Sequence, residues 1–149
     1  MTDRSAQGSA AVAVLQALGG RGWSIAAAES LTGGRLTASL VDVPGASAHV
    51  RGGIVAYATD LKASQLGVDT ALLAERGPVD PEVAAQMAQG VRRALRADVG
   101  LSTTGVSPCG SGPATPETVA VSSLALSGSR DEIRTRSVQS VLELALTLL

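Results

Sequence analysis

Apolar and polar positions divide the chain into alternating helical and extended stretches. Over residues 5–18, Ala10, Val14, Leu15 and Leu18 recur at helical spacing, and Gly19-Gly20 offers a stop. Residues 23–28 form a short apolar run that reads as a buried strand. Residues 32–40 predict a helix with Gly33-Gly34 in its opening turn, and Asp42-Val43-Pro44-Gly45-Ala46-Ser47 is turn chemistry. A second strand is expected over 53–57, followed by a short helix over 60–66 that Gly67 ends. The strongest helical signal comes next: Asp80 suits an N-cap, Pro81 the first helical position, and Ala84, Met87, Val91, Ala94 and Leu95 make one stripe. Residues 97–103 predict another strand, 105–113 a breaker-rich loop, and 118–126 carry strand propensity. Ser129-Arg130-Asp131-Glu132 is a capping-box pattern, and the final helix continues through Ile133, Val138, Val141, Leu142, Ala145 and Leu149.

Strands that alternate with helices predict a three-layer α/β domain spanning residues 1–149, with a mixed, mostly parallel sheet. Ligands of such sheets gather at the carboxyl ends of the strands. Three segments belong there: Ser30-Leu31-Thr32-Gly33-Gly34, the residues from Tyr57 to Lys62, and Thr103-Thr104-Gly105.

Composition narrows the function classes. The chain has 149 residues, 45% of them hydrophobic and 17% charged, with one Trp, one Tyr and no Phe. That is enough apolar residue for a packed core and too few aromatic platforms for stacking nucleic-acid bases. With 12 Lys and Arg against 13 Asp and Glu, no basic excess drives binding to a phosphate backbone. One cysteine, Cys109, and one histidine, His49, are too few for the common zinc sites. No apolar run is long enough to span a bilayer, and the first residues do not read as a secretory leader, so a cytoplasmic setting is expected. The expected partner is a small molecule rather than nucleic acid or a membrane, and a homo-oligomer is compatible with the sequence.

Ser30 is expected between a strand and a helix start, near backbone N–H groups that could hold an oxyanion or a phosphate. Read alone, it is better explained as a helix cap. A nucleophilic serine needs a base, and two residues qualify: His49 and Lys62, the only lysine in the chain. Burial can lower a lysine's pKa enough to make it a base, and Ser-Lys pairs are a known variant of nucleophilic constellations. Tyr57 is expected at the end of the second strand, where its phenol could reach a reacting group. Arg130 and Arg134, one helical turn apart, could clamp a phosphate, although solvated arginines beside Asp131 and Glu132 are the plainer reading.

Together these segments are similar to the C-terminal domain of the CinA (competence/damage-inducible) proteins, whose stand-alone members are nicotinamide mononucleotide deamidases. The resemblance lies in Ala28-Glu29-Ser30-Leu31-Thr32-Gly33-Gly34, Val43-Pro44-Gly45-Ala46-Ser47, Arg51-Gly52-Gly53-Ile54-Val55-Ala56-Tyr57, Gly77-Pro78-Val79, Thr104-Gly105-Val106 and Arg130-Asp131-Glu132-Ile133-Arg134. It implies an αβα domain and cofactor-free hydrolysis of a carboxamide, yielding nicotinic acid mononucleotide and ammonia, within the pyridine nucleotide cycle. In that scheme Ser30 is the nucleophile, Lys62 its base and Tyr57 a nearby catalytic residue. Thr32, Gly33, Gly34, Thr104, Gly105, Arg130 and Arg134 would line the substrate pocket.

The chain departs from the family pattern in three places. Thr59 stands at the usual asparagine position after Tyr57. The segment from Gly105 to Glu117 lacks glycines of the usual pattern. The stretch before Arg130 is short, so the sheet is expected to shorten or lose an edge strand. These departures keep two alternatives open: a nucleotide-binding module without catalysis, and an assembly domain in which the motifs only shape turns. A Ser30–Lys62 separation beyond hydrogen-bond reach would favour the last.

Overall fold

A computed structural model describes residues 4–105, 111–112, 120, 122–123 and 125–149. The elements are α1 (Arg4–Arg21), β1 (Ile25–Glu29), α2 (Arg35–Val41), a single 3₁₀ turn (Ala46–Ala48), β2 (Val50–Val55), α3 (Thr59–Leu66), α4 (Thr70–Arg76), α5 (Pro81–Ala94), β3 (Val99–Thr103), β4 (Ser111–Gly112) and α6 (Arg130–Leu148). The strand order is β2-β1-β3-β4. β1 pairs in parallel with both β2 and β3, whereas the two-residue β4 lies antiparallel on β3. The expected mixed, mostly parallel sheet is present, and its fourth strand is short.

The sheet is covered on both faces, which is why β1 and β3 are buried at every position. Side chains alternate across β1. Ile25 and Ala27 enter a core shared with α1, α2 and α6, built on Leu18, Leu36, Leu40, Val138 and Leu142. Ala26 and Ala28 enter a second core with Leu66, Leu73, Val83, Met87 and Val91 of α3, α4 and α5. The small residues of β1 let both helical layers approach closely. The same period of two continues past the strand: Glu29 falls toward α2, and Ser30 toward α3.

Several boundaries differ from the sequence expectation. α1 runs through Gly19-Gly20 and stops at Gly22, whose φ of 66° closes the helix. There Trp23 N–H donates to Leu18 C=O and Gly22 N–H to Gly19 C=O, the paired bonds of a Schellman stop. His49 lies beside Gly19, where an added Cβ would meet its ring in ordinary contact at 3.4 Å. β2 begins at Val50 and ends at Val55, because its parallel pairing with Ile25 of β1 sets the start. Ala56 and Tyr57 therefore lie beyond the strand. The sequence reading assigns no element to 70–76, where α4 forms behind an Asp69 N-cap that accepts from Ala71 and Leu72 N–H. Of the strand expected over 118–126, Ala120 forms an isolated bridge, while residues 122–123 and 125–126 are not in a strand. The remainder, with Cys109, Glu117 and most of the 105–113 loop, lies outside the described residues.

The caps at Asp80 and Ser129 form as read. Asp80 accepts from Glu82 N–H with Pro81 following, and Ser129 and Glu132 exchange both bonds of a capping box. The Ser129 backbone N–H and then its hydroxyl hold the Glu132 carboxyl below the usual carboxylate range.

Candidate active site

Ser30 is the first residue after β1. Its N–H donates to Thr103 C=O at 3.0 Å, which ties it to the end of β3, and its C=O accepts from Gly33 N–H at 3.1 Å in a tight turn. Strand alternation turns the side chain to the α3 layer. Lys62, on the inner face of α3, is buried to 1% exposure, and its Nζ lies 3.1 Å from Ser30 Oγ. The same Nζ donates to Ala56 C=O at 2.7 Å and Tyr57 C=O at 3.3 Å. These carbonyls are free because β2 has already ended. Burial pushes the Lys62 pKa below the ordinary lysine value, and no carboxylate bonds to Nζ among the described residues to restore it.

The three partners dictate what a neutral Lys62 can do. A neutral amine has two N–H groups and one lone pair. The two carbonyls can only accept, so they take both N–H groups, and the lone pair is left for the Ser30 hydroxyl. The deprotonated lysine is thereby oriented as an acceptor of the Ser30 proton.

A cleft of about 510 Å³ opens at these strand ends. Besides Ser30 and Lys62, its polar rim carries Tyr57, Thr104, Arg130 and Arg134, and Gly105 adds backbone. Leu31, Pro78, Val79 and Ile133 supply an apolar wall that the sequence reading does not assign to the site. Val79 packs over Gly105, where an added Cβ would come within 2.4 Å of it, so glycine is required there for space as well as for its φ of 70°. The signal for this wall was weak, since two apolar residues in a short connection predict no particular neighbour.

Each expected site residue has a definite place. Tyr57 reaches Lys62 through its carbonyl rather than its phenol; the ring is 61% exposed, and its hydroxyl accepts from Arg130 Nη2 at 3.1 Å. Thr104 lines the cleft, with its hydroxyl donated to Pro78 C=O at 2.6 Å. Arg134 donates from Nε to Leu31 C=O and from Nη2 to Thr32 C=O, at 2.8 and 3.2 Å.

Thr32, Gly33 and Gly34 stand behind the cleft and not among its lining residues. The Thr32 hydroxyl is buried between Glu29 and Thr103, Gly33 N–H is used by Ser30 C=O, and Gly34 N–H by Glu29. The two glycines instead supply left-handed φ values of 54° and 102°. An added Cβ on Gly33 would also lie 2.8 Å from Arg134 Nη2. Among the described residues, the N–H groups with no protein acceptor nearest the nucleophile are those of Leu31 and Thr32.

His49 is excluded as the base. It precedes β2, its C=O accepts from Ile25 N–H, and its Nδ1 sits 3.1 Å from Trp23 C=O. That is the opposite end of β1, roughly 16 Å from Ser30 at the usual strand rise.

Besides that apolar wall, the sequence reading gives no role to Glu29. It is fully buried, and its carboxylate takes up the N-terminal N–H groups of α2. The helix start that was expected to greet a ligand anion is already occupied by one of the protein's own. Among the described residues, no cluster of His, Cys, Asp and Glu suits a metal ion.

Residues 7–149 match the model of the CinA C-terminal domain. The chain belongs to the CinA C-terminal domain family. It is 49% identical over 147 residues to a CinA-like protein of Frankia casuarinae, covering 91% of this chain and 34% of that protein. A CinA-like protein of Gloeobacter violaceus is 44% identical over 138 residues, covering 83% of this chain and 32% of that protein. The chain thus spans about a third of the length of these curated relatives.

Among solved structures, a competence/damage-inducible protein of Agrobacterium tumefaciens superposes with a TM-score of 0.90 at 28% identity, covering 96% of this chain and 95% of that one. A CinA superfamily protein of Escherichia coli superposes with a TM-score of 0.91 at 23% identity, covering 100% and 94%, and shows the same fold. Among the described residues, no helix is long and apolar enough to cross a membrane.

Proposed function

We propose that this CinA-family domain hydrolyses the carboxamide of nicotinamide mononucleotide, in a cytoplasmic setting, with Ser30 as nucleophile and Lys62 as base. The observation that carries the reading is the buried Lys62 Nζ 3.1 Å from Ser30 Oγ, with two backbone carbonyls leaving its lone pair to that hydroxyl. Ser30 Oγ attacks the carboxamide carbon while Lys62 takes the Ser30 proton. The tetrahedral oxyanion is met by the N–H group of Leu31, which lines the cleft beside the nucleophile. Collapse expels ammonia, which receives the proton from Lys62 and leaves an acyl ester on Ser30. Water then cleaves the ester, Lys62 again taking the proton and returning it to Ser30. The apolar wall of Leu31, Val79 and Ile133 suits the face of a pyridine ring, and Arg130 and Arg134 suit the phosphate.

Ammonia release from nicotinamide mononucleotide tests this reading. Wild-type protein is expected to turn over. Ser30→Ala and Lys62→Met are each expected to lose on the order of 10³-fold or more in kcat, as when one member of a catalytic unit is removed. Wild-type protein that is thermally stabilised by the nucleotide without turnover would replace this reading with that of a binding module. Unchanged turnover in Ser30→Ala would overturn it.

A further inference from the structure

Glu29 ends β1 with no exposed surface, one residue before the nucleophile. Its Oε1 accepts from Thr32 Oγ1 at 2.7 Å, Leu36 N–H at 2.8 Å and Gly34 N–H at 3.2 Å. Its Oε2 accepts from Thr37 Oγ1 at 2.7 Å and Thr37 N–H at 3.0 Å. The N-cap position of α2 is Gly34, which has no side chain to cap with, so the carboxylate of the preceding strand does the capping. No lysine or arginine bonds to it among the described residues. Its charge is met by the partial positive charge of the helix start and by two hydroxyls.

These bonds fix more than the helix. The Thr32 hydroxyl has one proton, which goes to Glu29, so at the 2.7 Å contact between the two threonines Thr103 must be the donor. A chain of bonds therefore runs from the end of β3 through Thr32 to the end of β1, and the turn 30–33 is spanned between them. The direction of the Leu31 N–H group depends on how that turn is held, because Leu31 belongs to no helix or strand.

We infer that Glu29 is a positioning residue for the reaction. By capping α2 and gripping Thr32, it holds the turn that aims Ser30 Oγ at Lys62 and the Leu31 N–H group at the developing oxyanion. It never touches substrate. A consequence is that the α2 start offers no subsite to a substrate anion, which must bind on the α6 side of the cleft.

The inference rests on the amidase reading, so its test uses two readouts. One is steady-state hydrolysis of nicotinamide mononucleotide. The other is the rate of Ser30 modification by a serine-directed fluorophosphonate, followed by intact mass, which needs no knowledge of the natural substrate.

Glu29→Gln replaces one acceptor oxygen by an NH₂ group that must face N–H donors, so the turn cannot keep its shape. It is expected to lower kcat on the order of 100-fold with KM within about threefold of wild type, and to slow fluorophosphonate modification comparably. The pH midpoint assigned to Lys62 should stay in place. Thr32→Val keeps the capped helix but cuts the tie to Thr103 and should show the same split more weakly, whereas Thr32→Ser should restore the wild-type rate.

Modification of wild-type Ser30 without nucleotide turnover would reject the substrate while leaving the Glu29 test to the modification rates. Glu29→Gln and Thr32→Val both modified at the wild-type rate would overturn the positioning role. So would a wild-type Ser30 that is not modified at all. If Glu29→Gln does not fold, the comparison of Thr32→Val with Thr32→Ser decides, and equal rates in those two would overturn the inference.

Discussion

Lys62 is costly where it stands. It is the chain's only lysine, it is buried, and its nitrogen faces two carbonyls and a hydroxyl rather than a carboxylate. Burial lowers its folded pKa, so between that value and the unfolded value of about 10.4 the unfolded chain binds more protons than the folded one. Stability from this group therefore rises with pH across that window and is lowest below it. Lys62→Met removes the group, but it also leaves the Ala56 and Tyr57 carbonyls without this donor. The prediction accordingly concerns slope rather than offset. Urea unfolding at a series of pH values up to about 10 should show the stability of Lys62→Met, measured against wild type, falling as pH rises beyond the folded Lys62 pKa. Wild-type turnover should rise with pH over the low end of the same window, since only the neutral amine accepts a proton. Parallel stability curves for the two proteins would contradict a depressed Lys62.

Close approach between elements sets the position of that lysine. α3 lies against α5 at Gly90, where an added Cβ would come 1.9 Å from the Leu66 carbonyl oxygen. That atom is backbone, so it moves only if the helix moves. Gly90→Ala gains a little in helix propensity and loses far more by forcing α3 outward. It should destabilise the protein by about 2–3 kcal/mol, seen as a lower urea midpoint with unchanged slope. Because α3 carries Lys62, the folded variant should also lose activity. An exposed helix glycine with open space around it, Gly8, is the control: Gly8→Ala should be neutral or slightly stabilising. The contrast between these two glycines is invisible in the sequence, where both sit in helical patterns.

At the scale of the whole molecule, the site is assembled from both helical layers. α3 brings Lys62 from one face of the sheet, and α6 brings Arg130 and Arg134 from the other. Arg134 joins them physically, because its guanidinium is bonded to the Leu31 and Thr32 carbonyls beside the nucleophile. Those bonds hold α6 on the turn and leave the rest of the guanidinium toward the cleft. Arg134→Ala should therefore speed amide hydrogen exchange in the 30–37 peptide and raise KM for nicotinamide mononucleotide by about tenfold or more, as expected for the loss of charge-assisted bonds. Faster exchange with unchanged KM would assign Arg134 to structure alone.

Local pattern was enough for much of this protein. The α/β alternation, the Asp80 and Ser129 caps, and the gathering of Ser30, Lys62 and Thr104 at strand ends all follow from residue type and spacing, because hydrophobic periodicity and capping are properties of neighbours in the chain. The family itself was legible in the motifs around Ser30 and Tyr57. What the sequence could not decide was which way shared groups point. Gly33-Gly34 reads as an open anion-binding helix start, and only the fold brings the Glu29 carboxylate back to fill it. Tyr57 reads as a phenol for the site, yet its carbonyl is what meets Lys62. Residue type alone leaves His49 a second candidate beside Lys62, and the strands place the two at opposite ends of β1. Residue types and spacing put Ser30 beside a turn. Sheet register, side-chain alternation and long-range hydrogen bonding decided that a buried amine, and not a helix dipole or an imidazole, stands next to it.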